Sequence, residues 1–504
     1  MARVASDDCT DVQVFLISRS LPPEQIDKAR GARAERNFGR RFAIGGAPRN
    51  VAAAPAFARK ADALSSARDR VEPNARKCPF GGGGPRPCGG RLLKPVPRNP
   101  AKSRYGAFSH LPFTVMWAAT TCSLTGVAIS DTASAWLMTN LNADPRAVSL
   151  VQVASSLPMF LFTLLAGALA DLVEPRRFLI GLESIIVLMM SVFGAVVFFD
   201  WVTPTSLIAT TFILSACWSV AAPAWLSITP LLVPPRDLDS ANAANSVGYN
   251  VSRAIGPPLA GLALAGLGAA APYWIFGAAD LASVAALIWW RAPPRQASGR
   301  PPERLAGAVQ TGLRHAAGNK GLRSTLIRTV AVYPFACAYT ALLPLVARDQ
   351  TEMGPEFYGV LLAVVSVGAV LGSFLLSWMR RQFGPDLVVA LGTVALAAAL
   401  VMFGLSRDPF LAVCAAVLAG ASWTIVLVGL YVSALLCLPD WVRARGLGIF
   451  LTAIFGSITA GSLVWGQVAK AAGLPVAFFA AATGVLLMIP LTWRAKLRAA
   501  QGDE

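Results

Sequence analysis

From residue 113 onward, long apolar stretches alternate with short polar breaks. The stretches lie near 113–138, 149–170, 178–199, 205–230, 243–268 and 271–290, then near 324–346, 358–379, 386–405, 409–436, 446–469 and 474–492. A helix needs about 20 residues to cross a hydrocarbon core. Lipid offers backbone amides no partner, so segments of this length must be helical. The pattern predicts an all-α membrane protein of twelve transmembrane helices.

The breaks carry the orientation. Even-numbered loops are basic: Arg176 and Arg177 in the second, Arg236 in the fourth, Arg380 and Arg381 in the eighth, Arg443 and Arg445 in the tenth. The sixth, Arg291 to Arg328, holds eight Lys/Arg and one acid, Glu303. Odd-numbered loops are poor in cations, and the seventh is acidic (Asp349, Glu352, Glu356). By the positive-inside rule both termini are expected in the cytoplasm, with the chain in the inner (plasma) membrane.

Ahead of the first stretch, residues 1–105 are rich in Ala, Arg, Gly and Pro, as in the run Lys77 to Gly90. Residues 1–110 hold 21 Lys/Arg against 9 Asp/Glu, and the rest of the chain 23 against 18, so most of the +17 net charge belongs to this tail. It shows no sustained apolar period and cannot bury a core. Two readings stay open: a disordered, dispensable cytoplasmic extension, or a start codon placed too early. No basic stripe interleaved with aromatics follows, which argues against a nucleic-acid partner. The eight cysteines are scattered and the spacing of Cys78 and Cys88 fits no usual zinc pattern, so no metal or cofactor is expected.

The chain repeats itself. A gapless shift of 205 residues superposes Gly167 on Gly372, Arg176 on Arg381, Trp218 on Trp423, Pro234 on Pro439, Gly256 on Gly461 and Gly261 on Gly466. Corresponding loops fall on the same side, so this is a parallel repeat. It predicts six helices over 106–290, a basic linker over 291–323 and six helices over 324–504. Duplicated halves place a substrate site between them near the membrane midplane.

Two motifs stand out. The second loop reads Gly167-Ala-Leu-Ala-Asp171-Leu-Val-Glu-Pro-Arg176-Arg177, and the fifth apolar stretch contains Gly256-Pro257-Pro258-Leu-Ala-Gly261. The first resembles the G-x-L-A-D-R-x-G-R-R loop of the major facilitator superfamily, with Leu172, Glu174 and Pro175 as departures. The second is similar to the helix-five motif of that superfamily's exporters, with Ala260 replacing a glycine. Further segments, among them "APAWLSITPLLVP" and "LPDWVRARGLGIF", resemble its enterobactin-exporter-like, transmembrane secretion effector branch. The resemblance implies an exporter of small siderophore- or drug-like molecules working by alternating access. In it, Gly167, Asp171, Arg176 and Arg177 form a conformational latch, and Gly256, Pro257 and Gly261 a helix-five hinge. The fourth helix lacks the arginine that many proton-coupled exporters carry, since Leu214 to Pro223 is uncharged. Proton coupling, as in an antiporter, stays an inference.

Ionisable groups at membrane depth are functional candidates by default. Asp131, Arg253 and Asp280 are assigned to the substrate or proton pathway, with Arg253 expected to face the inter-half cavity and to pair with Asp131, Asp280 or an anionic substrate group. Glu183 is expected to reach the nearer interface, and the acids to stand singly. No predicted helix contains a His, and no phosphate-binding loop of the G-x-x-x-x-G-K-[ST] type appears, which disfavours a membrane enzyme and ATP-driven transport. A monomeric transporter in the lipid bilayer is expected. A facilitator or importer on the same fold is the alternative.

Overall fold

The computed structural model describes residues 106–172, 174–291, 318–439 and 442–497, with the side chains of 164–172 and 444 left undescribed. The expected N-terminal extension and most of the 291–323 linker lie outside the described residues. Among the described residues, twelve long helices follow one another: α1 Leu111–Leu141, α2 Pro145–Leu172, α3 Pro175–Phe198, α4 Pro204–Leu232, α5 Leu238–Leu267, α6 Ala271–Trp289, α7 Lys320–Leu345, α8 Pro355–Gln382, α9 Pro385–Leu405, α10 Pro409–Cys437, α11 Arg443–Ala472 and α12 Leu474–Thr492. Among the described residues, eleven are both long and apolar enough to span a membrane. The twelfth, α5, has the length but carries Asp239, Asn242, Asn245, Asn250 and Arg253.

Local sequence signals set many of the ends. Helices α2, α3, α4, α8, α9 and α10 each begin on a proline, where the missing N–H is not needed and φ is already helical. A reciprocal cap opens α4: Ser206 N donates to Thr203 Oγ1 at 3.1 Å and Thr203 N to Ser206 Oγ at 2.9 Å. Helices α5 and α11 both end on glycines in the left-handed region, Gly268 (φ 88°) and Gly473 (φ 89°). These two positions are related by the same 205-residue offset.

Packing repeats as the sequence does. Helix α1 packs on α4, α5 and α6, and α7 on α10, α11 and α12; α2 packs on α4 as α8 does on α10; α3 packs on α4 and α6 as α9 does on α10 and α12. Two seams join the halves, α2 with α11 and α5 with α8, and the repeat operation exchanges them.

The C-terminal half also holds a buried ion pair. Arg328 of α7, its side chain 5% exposed, reaches Asp386 of α9 at 2.6 Å, although its Nη2 is angled away from an ideal hydrogen bond. Arg328 Nε donates to Ala495 O at 2.9 Å, and Leu497 N to Asp386 Oδ1 at 3.1 Å. The pair thus pins the segment after α12 beneath α7 and α9. Removing one member strands a charge: Asp386→Ala should cost about 3 kcal/mol and appear as reduced abundance and a lowered melting temperature of the purified protein. The double variant Arg328→Met, Asp386→Leu should recover most of that loss; a fully stable Asp386→Ala protein would contradict the assignment.

Candidate functional site

The seams bring backbones into unusually close approach. A Cβ on Gly256 would lie 3.2 Å from Thr125 O of α1, and one on Gly461 2.8 Å from Pro334 Cα of α7, so both glycines serve matching crossings inside the two halves. Gly261 and Gly466 serve the seams. A Cβ on Gly261 would lie 2.8 Å from the backbone of Pro355 and Glu356 in α8, and one on Gly466 would strike Ser149 in α2. Gly359 of α8 leaves room for the backbone of Pro257 and Pro258. Helix α5 runs unbroken through Gly256-Pro257-Pro258. Having no N–H, Pro257 leaves the carbonyl of Arg253, four residues earlier, without its helical donor. Ser366 of α8 offers a donor to that carbonyl, its hydroxyl lying 3.1 Å from Arg253 O and 3.1 Å from Leu362 O of its own helix, so that its one hydrogen is shared between the two. The proline is therefore matched across the seam rather than merely tolerated.

Further contacts join the halves toward the odd-loop end. Ser156 and Thr459 share a hydrogen bond of 2.8 Å between α2 and α11. Trp136 of α1 stacks on Tyr358 of α8 with centroids 6.0 Å apart. At the rim, Lys470 donates to Asp144 Oδ2 at 2.6 Å. The Lys470 bond, followed by the Arg146 backbone N–H, holds the Asp144 carboxyl well below the usual carboxylate range. A lowered value means the clasp contributes above the ordinary Asp range and is lost only as pH falls through the lowered value, so it persists in mild acid.

Below this closure lie two charges. Asp131 is ten residues before the end of α1, about 15 Å along the helix from the odd-loop end, and Arg253 is fourteen residues before the end of α5, about 21 Å. Both side chains are exposed. Their electrostatic neighbours come from both halves: Tyr273 and, from the opposite half, Tyr358 for Asp131, and Tyr249 and, from the opposite half, Tyr339 for Arg253; the two charges also act on each other. An exposed charge flanked by the other half faces the space between the halves rather than lipid. No direct ion pair joins Asp131 and Arg253. The guanidinium instead receives the Tyr249 hydroxyl, its Nη1 donating at 3.2 Å, with its carbon 5.8 Å from that ring's centroid. Tyr333 and Tyr339 are buried and pack edge-on against Trp423.

Asp280 lies elsewhere. It is fully buried inside the N-terminal half, where it accepts from Ser123 Oγ at 2.6 Å and meets Glu183 of α3. It is therefore not a partner for Arg253. Glu183 does not reach an interface either: it is 1% exposed and accepts from Trp225 Nε1 at 2.8 Å. Two acids that stand alone along the chain become neighbours because α3 packs on α6.

Of the second-loop motif, the side chains of Gly167 and Asp171 lie outside the described residues. Arg176 reaches the end of α6, its Nε donating to Leu287 O at 2.8 Å and its Nη2 to Ile288 O at 3.0 Å. A cation there meets carbonyls that have no helical donor. Arg177 pairs with Glu174 at 2.8 Å and is largely exposed. Sequence reasoning missed the Asp144–Lys470 clasp and the Ser156–Thr459 bond. Each links residues more than 300 positions apart, and no local pattern marks them.

Known proteins agree with this architecture. Residues 102–504 match a family model described as transmembrane secretion effector. The multidrug efflux pump Tap of Mycolicibacterium fortuitum is 25% identical over 385 residues, 74% of this chain and 93% of Tap. The enterobactin exporter EntS of Escherichia coli O1:K1 / APEC is 28% identical over 193 residues, 37% of this chain and 44% of EntS. A crystal structure of a point mutant of the nucleoside transporter NupG superposes with a TM-score of 0.65 at 13% identity, over 76% of this chain and 99% of NupG. At that identity the likeness bears on the fold. The chain is a multi-span membrane transporter with the major facilitator fold, and it belongs to the transmembrane secretion effector family.

Proposed function

We propose that the protein is a secondary active exporter that binds small amphipathic, drug- or siderophore-like molecules between its two halves and releases them by alternating access. One observation carries this reading: Asp131 and Arg253 are exposed, with Tyr358 and Tyr339 of the opposite half in electrostatic reach, beneath seams joined at the odd-loop end by Gly261, Gly359 and the Asp144–Lys470 clasp. The basic even-numbered loops assign the other end to the cytoplasm. In that orientation the described state is closed to the outside, and substrate is loaded from the cytoplasm or the inner leaflet. The Tyr249 ring beside the Arg253 guanidinium suits an amphipathic solute. The efflux pumps named above support outward transport, and a proton gradient is the proposed driving force. Asp171 is the proposed moving member of an even-loop latch, with Arg176 anchored on α6. Both termini are proposed to be cytoplasmic and the monomer to be the working unit.

The decisive experiment measures ethidium accumulation in cells with and without the protein. Export lowers accumulation, and a protonophore abolishes the difference. Raised accumulation would instead establish an importer or facilitator on the same fold, and a protonophore-resistant difference would remove the proton gradient as driving force.

A further inference from the structure

The N-terminal half contains a second group of buried ionisable side chains that the cavity does not use. Glu183 of α3 and Asp280 of α6 are 1% and 0% exposed, and their carboxyl groups meet at hydrogen-bonding range. Counting from the helix ends, Glu183 is eight residues into α3 and Asp280 nine residues before the end of α6, so both lie about 12–14 Å from the even-loop end. One oxygen of each is satisfied, Glu183 Oε1 by the Trp225 indole of α4 and Asp280 Oδ1 by the Ser123 hydroxyl of α1. The remaining two, Glu183 Oε2 and Asp280 Oδ2, are buried and have no donor. One turn along α6, the hydroxyl of Ser283 is also fully buried without a partner.

Two neighbouring carboxyl groups, each with one buried oxygen that no donor reaches, cannot both be ionised in an apolar interior, because neither water nor a cation offsets the repulsion. The charged and titratable surroundings do not supply one. The closest titratable group from α4 is the Cys217 thiol. Helix α1 contributes the neutral Ser123, and α3 and α6 contribute the two acids themselves. A single proton shared between the two carboxyl groups would relieve the repulsion and leave one negative charge spread over a pair that already has two donors.

We propose that Glu183 and Asp280 form one proton-binding site of the exporter, distinct from the Asp131–Arg253 cavity, which takes up and releases one proton as α1 and α4 move against α3 and α6. This rests on the exporter reading for its role, but not for its existence. The balance is simple: the doubly protonated, neutral pair loses one H⁺ to water and becomes the proton-sharing monoanion, and rebinding restores the neutral pair. Helices α1 and α4 each donate one hydrogen bond to the pair, so their displacement would alter how well the extra charge is stabilised. That is how the site would report the conformational state.

The first test needs no substrate. Infrared spectra of the purified protein in lipid nanodiscs should contain a protonated-carboxyl carbonyl band that shifts in D₂O and is bleached by raising the pH. Glu183→Gln and Asp280→Asn, each nearly isosteric and each keeping an oxygen for Trp225 or Ser123, should lose or displace that band. Its absence from the wild type, or its survival unchanged in both variants, would overturn the site. The second test uses ethidium in proteoliposomes. Both variants should retain counterflow exchange while losing most of the uphill accumulation driven by a pH gradient, at least tenfold. Uphill accumulation equal to wild type would overturn the coupling role. A merely structural pair predicts equal loss of counterflow and accumulation, which would overturn it too. Wild-type protein that moves no ethidium refutes the exporter reading for this probe class, and the infrared band then decides the proton site alone.

Discussion

Arg253→Ala is expected to lose transport about ten- to a hundredfold while reaching wild-type abundance in the membrane. The guanidinium is exposed to the space between the halves and makes one side-chain hydrogen bond, to the neighbouring Tyr249 hydroxyl. No buried partner is stranded when it is removed, so the fold should not suffer. What is lost is a charge-assisted hydrogen bond to an anionic or polar group of the substrate, and roughly 1.5–3 kcal/mol for such a bond gives that range. Arg253→Lys keeps the charge but not the planar fork, and should recover little. Asp131 lies within electrostatic reach without touching it. Asp131→Asn should therefore alter which probes are exported, by their charge, rather than destabilise the protein. Efflux assays matched to quantitative membrane immunoblots check both points. Normal efflux by a well-expressed Arg253→Ala protein would remove the residue from the site, and loss of efflux that merely follows loss of protein would make it structural.

Gly359→Val is expected to prise open the α5–α8 seam at the odd-loop end. An added Cβ there meets backbone atoms, with Pro257 C at 3.1 Å and Pro258 Cα at 3.3 Å as well as the nearer Pro257 carbonyl oxygen. Backbone inside a proline-containing helix cannot turn aside as a flexible side chain can. Overpacking of this kind costs about 1–3 kcal/mol, and each 1.4 kcal/mol moves a two-state population about tenfold. The cost falls on the state in which the seam is closed, so the equilibrium should shift toward the state open at that end. Cysteines at positions 144 and 470, where the native side chains are 2.6 Å apart, report closure through their cross-linking yield. Gly359→Val should lower that yield severalfold and slow efflux. Gly181→Val, where no atom lies within 4 Å of the new carbon, should change neither. An unchanged yield in Gly359→Val would show that the seam does not set the conformational balance.

Much of the architecture was legible along the chain because a bilayer removes alternatives. Apolar runs of about 20 residues can only be helices in lipid, and a duplicated sequence can only fold as two similar halves. The shift that superposes Gly256 on Gly461 and Gly261 on Gly466 therefore foretold two pairs of matching crossings before any contact was known. Helix five was legible as a special element from its glycines and prolines. Its role was not, because a proline inside a helix signals only a missing hydrogen bond. That the Arg253 carbonyl it frees would be met by Ser366 depends on which helix lies beside it.

The charges divide in the same way. Sequence alone determined that Asp131, Glu183, Arg253 and Asp280 sit at membrane depth, because depth follows from position within an apolar run. Only the tertiary structure decided what each of them faces. A helix presents side chains in every direction, and sequence does not tell a cavity-facing turn from a core-facing one when the helix is apolar all round. Asp280 and Arg253 could be matched on charge, yet α6 turns Asp280 toward α3 while α5 turns Arg253 toward the opposite half. Glu183 could be dismissed as a side chain reaching the membrane surface, yet the contact of α3 with α6 and the indole of Trp225 hold it inside. Pairings such as Asp144 with Lys470 are beyond any local reading, since loop one and the last turn of α11 meet only once two six-helix halves have closed against each other.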